Sequence, residues 1–338
     1  MKKNILPIAS ALVLAIGLLF LFGHYLSTRG HRTRYGDKGV QAPGIRMETP
    51  EIEGQLTYPV EITDAKGHSL TLHRPPKRIV VLSSEAASCI IFLGKAEYVI
   101  GRLAHQRQPE LAHAKIVSGG SLPANYEALA AMKPDLVLLN LMNYEDKLRI
   151  CEKYKLPHFA FKIRKIDEMP QMYRLFAKLF HAAPSKVEEL EHLLETLHRV
   201  AERMEGLKLE ERPKVFFEFQ YRPALRTVGA HSITADIIWK AGGQIYPRCG
   251  GFAAAVSVES LMEHPPDWYL IGEGGFIRGK TSLEEVRKRP MLGKLRCVTE
   301  NRVLLVPILS YMQSHPKTID NVIELARKLH PERMKDFE

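Results

Sequence analysis

The phrase Glu-x-Leu-x-x-x-x-Pro-Asp occurs twice in this chain, at residues 127–135 and 259–267. Each copy runs straight into an apolar stretch, Leu136-Val-Leu-Leu and Trp268-Tyr-Leu-Ile. A helix that stops at proline and feeds a buried strand is the simplest structure for such a phrase. Each copy also has an apolar strand upstream, residues 79–82 in the first half and 215–219 in the second. Two halves of like construction are expected, and whatever joins them decides the architecture.

Between the halves lies APSKVEELEHLLETLHRVAERMEG, read as one helix over residues 184–206. Pro184 suits a first helical turn, Ser185 is a candidate cap, and Gly206 is the natural stop. Val187, Leu190, Leu194, Leu197, Ala201 and Met204 recur at spacings of three and four, which is one apolar stripe. At 1.5 Å per residue the span is a rod of roughly 35 Å, about one domain diameter. The expected fold is α/β, two lobes with mostly parallel sheets joined by one long rigid helix. The expected boundaries are a first lobe over 58–183, the interlobe helix over 184–206 and a second lobe over 207–338.

The first lobe opens with alternation over residues 58–73 around Asp64-Ala-Lys-Gly67, a hairpin signal. Ser83-Ser84-Glu85 then starts a helix that ends near Gly94. Strands follow at 98–103, 136–139 and 157–161, with helices near 147–154 and 167–182. The second lobe repeats this grammar, with a strand near 303–306 and a closing helix over 319–329. Alternating strands and helices imply parallel sheets, whose ligands bind outside the carboxyl ends of the strands. The loops that leave those ends are where recognition is expected.

The amino terminus is different material. Lys2 and Lys3 precede an uncharged apolar run over residues 5–22, the lower edge of what spans a bilayer. No small-residue cleavage pattern and no lipid-accepting cysteine follows. Residues 1–26 are read as a membrane anchor in preference to a cleaved signal, and 27–57, rich in Gly, Pro and charge, as a linker. Arg29, Arg32 and Arg34 after the span leave orientation unsettled by charge alone. The formal net charge is +10, but the basic residues are scattered without nucleic-acid motifs, so no nucleic acid is expected.

Chemistry is hard to find. Cys89, Cys151, Cys249 and Cys297 show no metal-site spacing, and an exported location would permit disulfides without fixing their pairing. Gly119-Gly-Ser and Gly272-x-Gly-Gly lack phosphate-loop patterns, and Ser84 and His105 lack a nucleophile elbow. No catalytic residue, metal site or resident cofactor is expected, and the protein is read as no enzyme. The exit loops instead concentrate basic, amide and aromatic groups. Ser84, His105, Gln106, Arg107 and Tyr144 (beside Asn143) come from the first half. Tyr221, Arg222, His231, Arg248, Phe252, Phe276, Tyr311 and His315 come from the second, with Arg278 and Gln313 nearby. Arginines flanked by aromatics suit a bulky, partly planar anion, through forked hydrogen bonds and stacking.

These residues carry a resemblance. Ile62-Thr-Asp-Ala-x-Gly-His, Pro76-Lys-Arg-Ile-Val-Val-Leu-Ser, Glu127-Ala-Leu to Lys133-Pro-Asp, Trp239-Lys-Ala-Gly-Gly, Val256-Ser-Val-Glu-Ser-Leu to Pro266-Asp, and Asn301-Arg-Val stand in order. The set resembles the periplasmic substrate-binding proteins of ABC importers for iron-siderophore, haem or vitamin B12. That resemblance implies two lobes on one helix, an iron chelate captured between them, and delivery to an ABC permease with its ATPase. It also implies a monomer in the periplasm, here held to the inner membrane by the N-terminal segment. One glutamate on each lobe would dock on permease arginines, and the matching positions are Glu127 and Glu259. Were the ligand haem, Tyr221, Tyr311, His105 or His315 would ligate its metal; cobalamin is the other alternative, as is a partner-binding or sensory protein with no transport role. Ser314-His315-Pro316 stands where relatives often have Pro-Arg, so ligand contacts do not carry over directly.

Overall fold

A computed structural model describes residues 56–118, 126–140, 144–161, 163, 165–250, 254–273 and 282–337. The anchor reading of 1–26 and nearly all of the linker lie outside these. Among the described residues no helix is long and apolar enough to cross a membrane.

An antiparallel hairpin comes first, β1 (Val60–Thr63) paired with β2 (Ser69–Leu72). Its turn is made by Asp64, whose Oδ1 accepts the N–H groups of Lys66 and His68, with Gly67 at φ +84°. The other carboxylate oxygen accepts from Ala160 N, which ties the hairpin to the edge of the first sheet.

That sheet contains β3 (Ile79–Leu82), β4 (Val99–Leu103), β5 (Lys115–Ser118), β6 (Leu136–Asn140) and β7 (His158–Phe161), all parallel, in the order β5-β4-β3-β6-β7. β3 is buried at every residue, as its unbroken Ile-Val-Val-Leu requires. Its helices are α1 (Ser84–Phe92), α2 (Tyr126–Ala131), α3 (Tyr144–Lys153) and α4 (Met169–Leu179). The edge strand β5 is absent from the sequence reading.

The rod, α5, runs Pro184–Arg203, roughly 30 Å long. Its N-cap is Ala183 and no side chain caps it, so Ser185 does not have the expected role. Pro184, already without an N–H, occupies the first turn instead. Met204 ends the helix and Gly206 follows at φ +76°. Leu190, Leu197 and Val200 are buried, with Val187 and Leu194 packed at the margin of the same core.

The second sheet is β8 (Lys214–Glu218), β10 (Gln244–Ile245), β12 (Trp268–Glu273) and β13 (Val303–Pro307), parallel, in the order β10-β8-β12-β13. A separate small ladder pairs β9 (Arg226–Thr227) with β11 (Ala254–Ala255). The helices of this half are α6 (Ile233–Lys240), α7 (Val258–Glu263), α8 (Leu283–Lys288), α9 (Arg296–Thr299), α10 (Ile308–Met312) and α11 (Lys317–Leu329). α11 packs against the rod and against α6.

The repeated phrase acquires a physical meaning here. Asp135 accepts the backbone N–H groups of Lys77 and Arg78 at 3.0 and 2.8 Å, and its own N–H donates to Arg78 O. Asp267 accepts Lys214 N at 2.7 Å, and its N–H donates to Lys214 O. In each lobe the Pro-Asp pair clamps the entry of the first strand to the entry of its neighbour. One buried apolar cluster runs from the inner face of the first sheet through α4 and the rod to the inner face of the second. A separate cluster fills the outer face of each sheet.

Candidate functional site

In the first sheet the strand order reverses between β3 and β6, and in the second between β8 and β12. The carboxyl ends of those strands are the crevices in which an open α/β sheet receives a ligand.

Four expected residues of the first lobe gather at β3 and β4. Ser84 is the first residue of α1, and its hydroxyl lies 3.0 Å from His105 Nε2, just past β4. Burial pulls the His105 imidazole below its usual range, with Glu85 opposing it. Gln106 is turned inward instead of toward a ligand. It is 1% exposed, donates to Ser83 O and accepts Leu103 N, so both ends of its amide brace the strand exits. Arg107 beside it is exposed.

Sequence reasoning missed the groups behind this pair. Ser83 caps α1, and its hydroxyl donates to Glu85 at 2.6 Å. Lys147 on α3 donates to Asn140 Oδ1 at the end of β6, also at 2.6 Å. Burial pulls the Lys147 ammonium down while Glu85 holds it up. An ammonium, an imidazole, a hydroxyl and a carboxylate therefore share one crevice across the switch point. The S-x-E phrase at the start of α1 was the available signal for Glu85. Nothing local marked Lys147, which arrives from another helix.

The second lobe sorts its candidates differently. Tyr311 is 3% exposed, stacks on Phe217 with ring centroids 6.0 Å apart, and burial pushes its phenol up. It belongs to the core and is no available metal ligand. His315, half-buried after α10, accepts the Lys317 N–H on Nδ1 at 2.9 Å. The imidazole proton then resides on Nε2, which makes His315 a hydrogen-bond donor to an acceptor and a poor metal ligand. Burial, and then Lys317, pull its pKa down, so the ring is neutral. Arg222, His231 and Arg248 are exposed, and Gln313 is half-buried. Tyr221 is half-buried, its ring covered by the Arg289 guanidinium at 4.1 Å from the centroid, with Arg222 at 5.5 Å. The side chain of Tyr144, together with Asn143, Phe252, Phe276 and Arg278, lies outside the described residues. Of the expected set, Ser84 with His105 and Tyr221 with Arg222 stand in direct contact.

Glu127 on α2 and Glu259 on α7 are both exposed. Ser257 caps α7 and donates to Glu259 at 2.7 Å, which holds that carboxyl below its usual range. The four cysteines are free, three of them buried, and burial pushes their thiols up, Cys151 to about 12 and Cys297 to about 11. Among the described residues no group of three His, Cys, Asp or Glu side chains could hold a metal ion. Two cavities open elsewhere. One of about 610 Å³ lies outside the first sheet between Ile100, Ile116 and Met132, and one of about 270 Å³ lies at the end of the rod beside Trp239. Neither sits at the strand exits.

Two α/β lobes on one helix, each with a switch point at its strand exits, define a bilobal α/β fold. The model of the periplasmic binding protein family matches residues 79–307, and the chain belongs to that family. It is similar to a Bacillus subtilis protein described as an uncharacterized ABC transporter substrate-binding lipoprotein, 22% identical over 304 residues, 88% of this chain and 94% of that one. It is also similar to a cobalamin-binding protein of Halobacterium salinarum, 21% identical over 305 residues, 86% of this chain and 80% of that one. Among solved structures, the molybdate periplasmic binding protein MolA of Haemophilus influenzae shares the fold with a TM-score of 0.69. It is 19% identical and the match covers 82% of this chain and 94% of that one.

Proposed function

We propose that this protein is the substrate-binding component of an ABC importer, capturing an iron chelate of the siderophore kind between its lobes and delivering it to a permease and its ATPase. The observation that carries the reading is the pair of switch points, one in each lobe. One holds Lys147, His105 and Ser84; the other leads from β8 into Tyr221 and Arg222, and His315 stands in the loop after α10. An anionic, partly aromatic chelate would meet cations and neutral imidazole donors there, and ring faces for stacking. Recognition by hydrogen bonds to an intact chelate needs no metal ligand from the protein, which agrees with how His315 is held. The Bacillus relative supports the transport role, an extracytoplasmic location and tethering to the membrane, here through residues 1–26. Capture without chemistry is part of this reading and is supported by the family to which the chain belongs, one of binding proteins.

Cobalamin is the second reading, favoured by the archaeal relative. Haem is weaker, because Tyr311 is packed into the core and His315 has its proton on the wrong nitrogen for metal. The test is native mass spectrometry of the full chain released from detergent after incubation with a ferric siderophore, cobalamin and haem. Retention of the ferric siderophore is expected. Retention of cobalamin alone selects the second reading, and retention of none overturns the transport role.

A further inference from the structure

Behind the strand exits of the second lobe lies an ion pair that no recognition role explains. Glu218, the last residue of β8, is 3% exposed. Its Oε2 accepts from Arg289 Nη1 at 2.6 Å and from the Tyr269 hydroxyl on β12, and Arg289 Nη1 also lies 3.2 Å from that hydroxyl. Burial and then Glu218 push the Tyr269 phenol up, so it stays protonated and donates. Burial by itself would pull the guanidinium down; Glu218 and Tyr269 outweigh it, and Arg289 is held as a cation.

Such a buried pair gains little over apolar packing, so it calls for a reason other than stability. The reason is in the direction of the guanidinium. One edge is pinned by Glu218, and its flat face covers Tyr221, three residues further along the same chain. A guanidinium held through Nη1 and set over a ring has little freedom left, and the ring beneath it inherits that fixity. Arg289 itself is anchored, its N–H donating to Val286 O at the end of α8 and its carbonyl accepting from Gly293. That turn excludes a side chain at Gly293, where a Cβ would meet Arg287 O at 2.1 Å.

We infer that Arg289 is a positioning residue: it locks Tyr221 and the exit loop of β8 into one preset orientation before any ligand arrives. The locking follows from the geometry alone; its consequence for affinity rests on the transport reading above. Preset rings bind tighter than mobile ones because less freedom is lost on binding. A lysine at 289 would keep the charge that Glu218 needs but has no flat face to lay on Tyr221.

The experiment is amide hydrogen exchange on the full chain in detergent, following residues 219–225. Arg289→Lys should raise exchange in that segment at least tenfold while the melting temperature stays near wild type. Tyr221→Leu, which leaves the ion pair intact, should do the same, and the double variant should add nothing to either. Unchanged exchange in Arg289→Lys, or effects that multiply in the double variant, would overturn the inference. If Arg289→Lys fails to fold, Tyr221→Leu alone decides it by the same criterion. Binding of a ferric catecholate siderophore should weaken about tenfold in both single variants. Failure of the wild type to bind that probe would count against the transport reading and leave the exchange result to judge the lock.

Discussion

The two lobes solve one problem with the same device and a second problem with opposite ones. Each sheet needs its first strand held in register at its entry, and each uses a Pro-Asp carboxylate on backbone N–H groups. Each lobe also has a helix opened by Ser-x-Glu, with the serine hydroxyl bonded to the carboxylate two residues on, in Ser83–Glu85 and Ser257–Glu259. There the likeness ends. Glu85 sits inside, within reach of His105 and Lys147, whereas Glu259 faces solvent. The first lobe puts its charges in the crevice; the second buries its strongest ion pair behind it. A repeated local phrase therefore fixes backbone geometry, and the surroundings decide whether its carboxylate binds ligand, binds a partner or is solvated.

The comparison breaks most visibly at the two exposed glutamates. If both dock on permease arginines as charge-assisted pairs, Glu127→Gln with Glu259→Gln abolishes uptake in cells while ligand affinity and melting temperature stay at wild type. Uptake that survives the double change would return both residues to ordinary helix-start roles. Next in size is the buried pair. Arg289→Met leaves Glu218 buried without its cation and should cost about 3–5 kcal/mol in denaturant unfolding. The first lobe shows no ion pair of that burial among the described residues, so no charge removal there should match it.

The strand clamps come third, and they are unequal. Asp135 holds two N–H groups and Asp267 one. Asp135→Ala should cost about 2 kcal/mol and Asp267→Ala about 1 kcal/mol by the same measurement. The smallest effect is in pH. His105 and His315, one from each lobe, have pKa values depressed in the fold. The unfolded chain takes up those protons first, so their stability is complete above about 6.5 and is lost as pH falls below it. Glu85 opposes the shift at His105, and Lys317 adds to it at His315. Ring-proton NMR titration should therefore find both below about 6.5.

Legibility from sequence followed locality. Strands such as Ile79–Leu82 and Val303–Pro307, the hairpin at Asp64 and the rod were readable because their signals lie within one turn or one alternation. β5 was not, because Lys-Ile-Val-Ser at a sheet edge is half exposed and has too little apolar run to stand out. Gln106 and Tyr311 looked like ligand groups because polarity and ring size say nothing about which way a side chain turns. One braces backbone and the other fills core. Glu218 and Arg289 are 71 residues apart and meet only because β8, β12 and the turn after α8 converge. The expected fold was recovered in kind; in the first crevice Ser84 and His105 were both named and meet across 21 residues, whereas Lys147 was not named.

The rod has a consequence for how the protein is made. Each sheet is drawn from one uninterrupted stretch, 79–161 and then 214–307, with no strand crossing the rod. The first sheet has α1 and α4 to cover its inner face before residue 184 is reached, so it can condense while the remainder is still being synthesised. The second sheet has no such head start. Part of its inner cover is α11, the last helix, so the cover over Val215, Phe217 and Leu270, begun by α6 and α10, stays incomplete until residues 317–329 arrive. A chain emerging from a ribosome or a translocation pore is thus most exposed to aggregation in its second half, and that is where a folding helper would be of use.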